Sequence, residues 1–244
     1  MALVSQGSTT QHLPNNHLLR ALPAGDGAAV GPHLERVWLA SRSSLFQPGD
    51  RIDTIYFPID AVISVMTVMR DGAQIEAMTI GREGLIGAEA LLGDPATTTL
   101  STWCQVAGES YRVPFAVYAQ LCSRYPALRE LSLRFIGAQI DVMAQSIACN
   151  RLHYVNERCA RWLLMTHDRA GRDEFHLTHE ALAAMLGVRR AGVSIAAAAL
   201  QQAGHIRYTR GRFAIIDRAG LAAAACECYG AINDAYERRR LPAN

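Results

Sequence analysis

The sequence predicts an α+β chain in which an all-β barrel or sandwich is followed by a long helix and then a winged helix-turn-helix. Three observations carry this. Residues 37–113 hold short apolar runs broken by turn residues. After Pro114 the apolar spacing becomes helical and, from Pro126, meets no glycine or proline but Gly137 before residue 152. Residues 178–217 fit two short helices and a hairpin, and arginine is concentrated there.

At 244 residues, half of them hydrophobic and 19% charged, the chain has room for one large domain or two modest ones, and two is the better expectation. Its apolar runs fall short of a membrane span, so a water-soluble, cytoplasmic protein without a membrane partner is expected. All 24 basic residues are arginine, and a net charge of +2 does not by itself announce a nucleic-acid binder. Residues 1–16 lack a charged start followed by an apolar core, so the six cysteines (Cys104, Cys122, Cys149, Cys159, Cys226 and Cys228) read as reduced thiols. Cys226 and Cys228 form a Cys-x-Cys pair, but on a helix residues two apart point in different directions, which suits neither a metal nor a disulfide. No metal site and no cofactor are predicted.

Taken in order, residues 1–30 mix small and polar types without a period and read as a disordered leader. Strands follow over 51–57, 61–69, 74–80, 100–105 and 109–113. Pro48-Gly49-Asp50, Arg70-Asp71-Gly72, Gly81-Arg82-Glu83-Gly84 and Gly93-Asp94-Pro95 supply the turns. A helix is expected over 115–124, and the long helix opens at Pro126, since proline is tolerated in a first turn. It carries two apolar stripes, one through Leu128, Leu131, Phe135, Ala138 and Val142, the other through Ile136, Ile140, Met143 and Ile147. One face can pack on the β domain and the other on a second copy, with Leu131, Phe135, Ala138 and Val142 the expected dimer contacts. A helix buried wholly in its own monomer would also carry two stripes. A further helix is expected over 156–167, closing in a polar linker at 168–174.

Between His179 and Ala203, the apolar positions Leu182, Ala183, Leu186, Val188, Val193 and Leu200 fit two crossing helices. Ala183 is small at the crossing and Gly187 can take the positive φ that ends the first helix. The spacing from Ala183 to Gly187 to Val193 is that of helix-turn-helix DNA readers. Residues 205–208 and 212–216 then read as a hairpin around Thr209-Arg210-Gly211, the wing. Residues 178–218 hold six arginines against Glu180 and Asp217, whereas residues 36–115 hold six against nine acids. The positive field sits where phosphates would be met. Arg190 is the first choice for a base-edge contact, because a guanidinium can bond both acceptors of guanine, and Ser194 the second. Arg189, Arg207, Arg210 and Arg212 suit phosphates, and Thr178 stands at the start of the motif.

At this point the chain resembles the Crp/Fnr family over about residues 35–220. The matching segments are Phe46-Gln47-Pro48-Gly49-Asp50 leading into Ile55-Tyr56-Phe57, then Gly84-Leu85-Ile86-Gly87 before Leu91-Leu92, then the long helix and the winged motif. The resemblance implies a cyclic-nucleotide-binding-type β-roll sensor domain over 31–125, a dimerisation helix over 126–153 and a DNA-binding domain over 154–244. It also implies a homodimer on double-stranded operator DNA, with RNA polymerase as a partner if transcription is activated. Nucleotide-binding members carry a Glu after the glycine Gly87 matches and an Arg-Ser pair further on. Here Ala88 follows Gly87, with Glu89 one residue later, and Thr98-Thr99 stand where Arg-Ser would be. Met143-Ala144 occupy the place of an adenine-contacting Thr-Ser pair. A degenerate pocket and no control by cyclic AMP are therefore expected, because a buried phosphate without a guanidinium is costly. The recognition helix departs as well: Arg189, Arg190, Ala191 and Ile195 replace the family's small cap, Arg-Glu and later Arg.

Other chemistries find little support. Residues 1–103 contain no cysteine, against an iron-sulfur cluster of the oxygen-sensing kind. Cys104 and His153 are the isolated candidates for haem ligands. No histidine lies between Leu34 and Leu152, which removes a cupin-like metal site, and no nucleophile elbow or phosphate loop is present, so an enzyme is not expected. The alternative function is a ligand-sensing module that acts on a partner protein through its winged helix.

Overall fold

The computed structural model describes residues 15–93, 97–239 and 241. Part of the expected leader is folded: residues 1–14 lie outside the described residues, but α1 (His17–Arg20), α2 (Ala24–Val30) and a 3₁₀ turn (Gly31–His33) follow. Asn16 anchors them. Its Oδ1 accepts from the Leu18 and Leu19 amides at 3.1 Å, while Nδ2 donates to the Pro58 and Gly84 carbonyls at 2.9 and 2.8 Å. Leu18 and Leu19 are buried as a result. A single cap and two leucines leave no period for sequence reading to find.

The expected strands are present as β3 (Thr54–Pro58), β4 (Val62–Val68), β5 (Gln74–Ile80), β6 (Ser101–Val106) and β7 (Gly108–Pro114), preceded by β1 (Glu35–Leu39) and β2 (Ser44–Phe46). They form two antiparallel sheets, ordered β1-β7-β3 and β2-β6-β4-β5, whose inner faces enclose Phe46, Ile55, Phe57, Ile63, Val65 and Ile80. Helix α3 (Phe115–Arg124) follows β7, and α4 (Pro126–Leu152) has its proline in the first turn, where a missing N–H breaks no helical bond.

Helix α4 corrects the expected dimer face. Leu131, Phe135, Ala138 and Val142 are 8, 0, 0 and 1% exposed within their own chain, packed against the roll and the C-terminal helix. Of the other stripe, Ile140 and Ile147 face outward, 59 and 73% exposed, while Ile136 is buried and Met143 half-buried against the roll. Two stripes were legible from spacing; which one the roll covers was not.

A turn at His153 leads into α5 (Val155–Ala170), where the Glu157 carboxylate accepts from the Tyr154 amide at 3.0 Å. Then come β8 (Glu174–His176), α6 (His179–Leu186), α7 (Arg190–Gln202), β9 (Ile206–Thr209), β10 (Arg212–Ile215), α8 (Arg218–Ala224) and α9 (Cys228–Arg238). The three strands form a small antiparallel sheet ordered β8-β10-β9. Leu163, Leu182, Val193, Leu200, Phe213 and Leu221 close a second core. Helix α9 packs mainly elsewhere: Ile232, Ala235 and Tyr236 enter the first core, Tyr236 stacks on Phe135 at 6.2 Å, and Tyr229 touches both cores. After α8 the chain thus returns to the long helix, within the segment 154–244 expected as the DNA-binding domain. The assumed helix around Cys226 and Cys228 is interrupted, since Cys226 and Glu227 lie in the break between α8 and α9. Among the described residues no single helix is long and apolar enough to cross a membrane.

Candidate nucleic-acid interface and effector cavity

The α6–α7 pair is built by local chemistry. Thr178 caps α6, its hydroxyl accepting from the Ala181 amide at 3.2 Å. Gly187, at φ 63°, ends the helix, and the Val188 amide returns to the Ala183 carbonyl at 3.0 Å. A side chain at 187 would also strike Ile75 of the β-roll, whose Cδ1 lies 2.7 Å from where a Cβ would stand. The two helices meet at 108°, within the range of helix-turn-helix motifs. Leu182, Ala183, Leu186, Val193 and Leu200 are buried, as their spacing implied, whereas Val188 is only half-buried.

This arrangement leaves the start of α7 in solvent. Arg189 and Arg190 are exposed, and among the described residues Arg190 reaches only Glu180, at 4.0 Å, in a pair exposed at both ends and thus worth at most about 1 kcal/mol. Ile195, one turn further on, is 72% exposed. Ser194 is half-buried. Its hydroxyl bonds the Arg190 carbonyl at 3.2 Å and His179 Nδ1 at 3.0 Å, which braces α7 against α6. His179 itself stacks on Tyr208 at 4.0 Å, which ties the wing to the helices. Burial, with Arg190 nearby, holds its pKa below the usual 6.5. No spacing in the sequence marks His179 for this role.

Arg207, Arg210 and Arg212 are exposed on the wing and line one groove with Glu174, which Arg207 approaches to 3.3 Å. Arg210 and Gly211 take φ of 48° and 79°, the paired left-handed residues of a tight hairpin turn, so the turn itself aims Arg210 away from the sheet. Five exposed guanidiniums thus flank one helix start and one hairpin.

The second site is a cavity of about 310 Å³ between the roll and α4. Gly87, Glu89, Thr98, Thr99 and Met143 line it, with Val65, Met78, Ile86 and Ile136 supplying apolar wall. Ala88 is buried outside the lining and Ala144 is exposed on α4, so these two of the expected pocket residues do not reach it. No cation lines the cavity among the described residues, and burial pushes the Glu89 carboxyl up. A phosphate would meet an acid there and no guanidinium. Cys104 and His153, the haem candidates, do not converge: Cys104 is buried in β6, its thiol pushed up to about 12 by burial, while His153 lies beside Cys228.

A β-roll with an internal cavity, a long helix and an arginine-bearing winged motif define the class of a DNA-binding regulator. The matching family models are the cyclic nucleotide-binding domain over residues 36–125 and the Crp-like helix-turn-helix domain over 157–224. The chain belongs to the Crp/Fnr family of transcription regulators. Among solved structures it is similar to FixK2 from Bradyrhizobium japonicum, with TM-score 0.65 and 12% identity over 79% of this chain and 98% of that one. A Crp/Fnr regulator from Eubacterium rectale gives TM-score 0.62 and 14% identity over 85% and 96%. The c-di-GMP responsive regulator CLP from Xanthomonas campestris gives 0.61 and 17% over 79% and 99%. At these identities the likeness is one of fold. No curated protein matches the chain.

Proposed function

We propose that the chain is a cytoplasmic homodimeric regulator that binds double-stranded operator DNA through α7 and its wing, and that cyclic AMP does not control it. The observation that carries this is the exposed Arg190 at the start of α7, flanked by Arg189 and by Arg207, Arg210 and Arg212 on the wing. In a major groove, Arg190 meets guanine, and Ile195 suits the methyl group of thymine. The wing arginines and Arg189 take phosphates, and Thr178 presents the start of α6 to the backbone. Two copies joined along the Ile140 and Ile147 face of α4 would read half-sites about 34 Å apart. If the regulator activates transcription, RNA polymerase is its further partner.

The absence of cyclic-AMP control follows from the cavity's chemistry: an acid at 89, threonines at 98 and 99, and apolar wall opposite. Calorimetry with cyclic AMP should give no heat of binding, and micromolar affinity would overturn that part. The DNA part is tested by affinity for operator DNA over a salt series. Several phosphate contacts predict a steep loss with rising salt. Absence of any DNA complex would favour a winged helix that docks on a partner protein.

A further inference from the structure

We propose that Cys149, His153, Cys226 and Cys228 form a site for one divalent cation of the zinc class, clamping the end of the long helix to the start of α9. Cys149 lies in the last turn of α4 and His153 caps that helix, four residues on, so both project from one face. Cys226 lies in the break after α8, and Cys228 opens α9. The chain travels through the whole DNA-binding unit between the two pairs, so the fold itself, and no local turn, brings them together.

The geometry fits a single ion. The four candidate donor atoms all lie within 4.8 Å of one another. Cys149 Sγ is 3.6 Å from Cys226 Sγ, and Cys228 Sγ is 3.5 Å from His153 Nδ1. A tetrahedral zinc with Zn–S near 2.3 Å and Zn–N near 2.0 Å sets donor atoms roughly 3.5–3.8 Å apart along its edges. Donors this close leave no room for a cubane, whose ligands sit on four separate irons. At 3.6 Å the Cys149 and Cys226 sulfurs are not bonded to each other.

The surroundings match as well. Gln145 Nε2 donates to Cys228 Sγ at 3.1 Å, and His153 turns its Nε2 toward the Glu227 carboxylate at 3.8 Å, leaving Nδ1 for the ion. Such outer partners orient ligands and support a thiolate. Beside the cluster, Arg158 and Arg161 are 5 and 7% exposed and the Nε of each is unpartnered; among the described residues neither has a carboxylate at ion-pair distance, the buried Glu76 acting on Arg161 only from farther off. Buried cations without counter-charge are costly. Three thiolates and a neutral histidine on a dication leave one net negative charge, which answers those guanidiniums. As each sulfur–metal bond forms, the thiol's proton passes to solvent.

Full-length protein purified without chelator should carry one zinc per chain by elemental analysis. Cys226→Ser and Cys228→Ser should each lose it, while Cys104→Ser keeps it, and Gln145→Ala should weaken retention about tenfold or more. Cobalt(II) added to reduced, metal-free wild type should give the intense visible absorption of tetrahedral thiolate coordination, which decides the matter even if a serine variant fails to fold. Absence of both zinc and the cobalt spectrum, iron with inorganic sulfide, or a Cys149–Cys226 disulfide in protein purified without added oxidant would each overturn the proposal.

Discussion

Arg169 Nε lies 2.7 Å from Glu83 Oε1 with the side chains 2 and 0% exposed, a buried ion pair that joins the loop after β5 to the last turn of α5. The Gly81 amide also donates to both Glu83 oxygens at 3.2 Å, and Arg169 donates to the Met165 carbonyl at 3.2 Å. Removing one partner strands the other charge. Glu83→Gln should therefore destabilise the fold by about 3–5 kcal/mol, read as a shifted denaturation midpoint. A loss under about 1 kcal/mol would mean that water reaches the pair.

The outward stripe of α4 predicts the assembly. Ile140→Glu with Ile147→Glu should yield a folded monomer by light scattering, because both side chains stand in solvent in the single chain. Leu131→Ala should instead cost about 2–5 kcal/mol of stability and leave the oligomeric state alone. An unchanged dimer in the double Glu variant would move the interface elsewhere.

These two outcomes mark what the sequence can tell. The period of α4, the Gly187 break and the wing arginines were legible because each follows from local spacing or backbone sterics. The covering of the Leu131 stripe, the return of α9 to α4 and the meeting of Cys149 with Cys226 depend on where distant segments land. Ser194 sits at an outward spacing yet turns toward His179, since one rotamer choice decides between solvent and a hydrogen bond.

His167 predicts a pH effect. The Asp168 carboxylate, 3.5 Å from its Nδ1, raises its pKa against burial, and Asp173, hydrogen-bonded to Nε2 at 2.8 Å, adds to the rise. The folded state then holds the proton more tightly than the unfolded chain. The stabilisation is complete below the unfolded value near 6.5 and is lost as pH rises through the folded value. The stability gap between wild type and His167→Gln should be widest below 6.5 and close at higher pH. A gap independent of pH would contradict this role.

Arg190→Ala and Arg210→Ala should separate base reading from phosphate contact. The first should lose about 1–3 kcal/mol at one base position and relax the preference there. The second should weaken all sequences alike and reduce the salt slope by about one. Equal effects of both variants across sequences would remove Arg190 from base reading.

The most direct measurement is selection of genomic fragments by the purified protein without added ligand, run in parallel with Arg190→Ala. Two-fold symmetric sites with half-sites about one helical turn apart should be enriched, and the variant should lose or relax them. No enriched sequence, or the same sequence with Arg190→Ala, would contradict a ligand-independent regulator that reads DNA through α7.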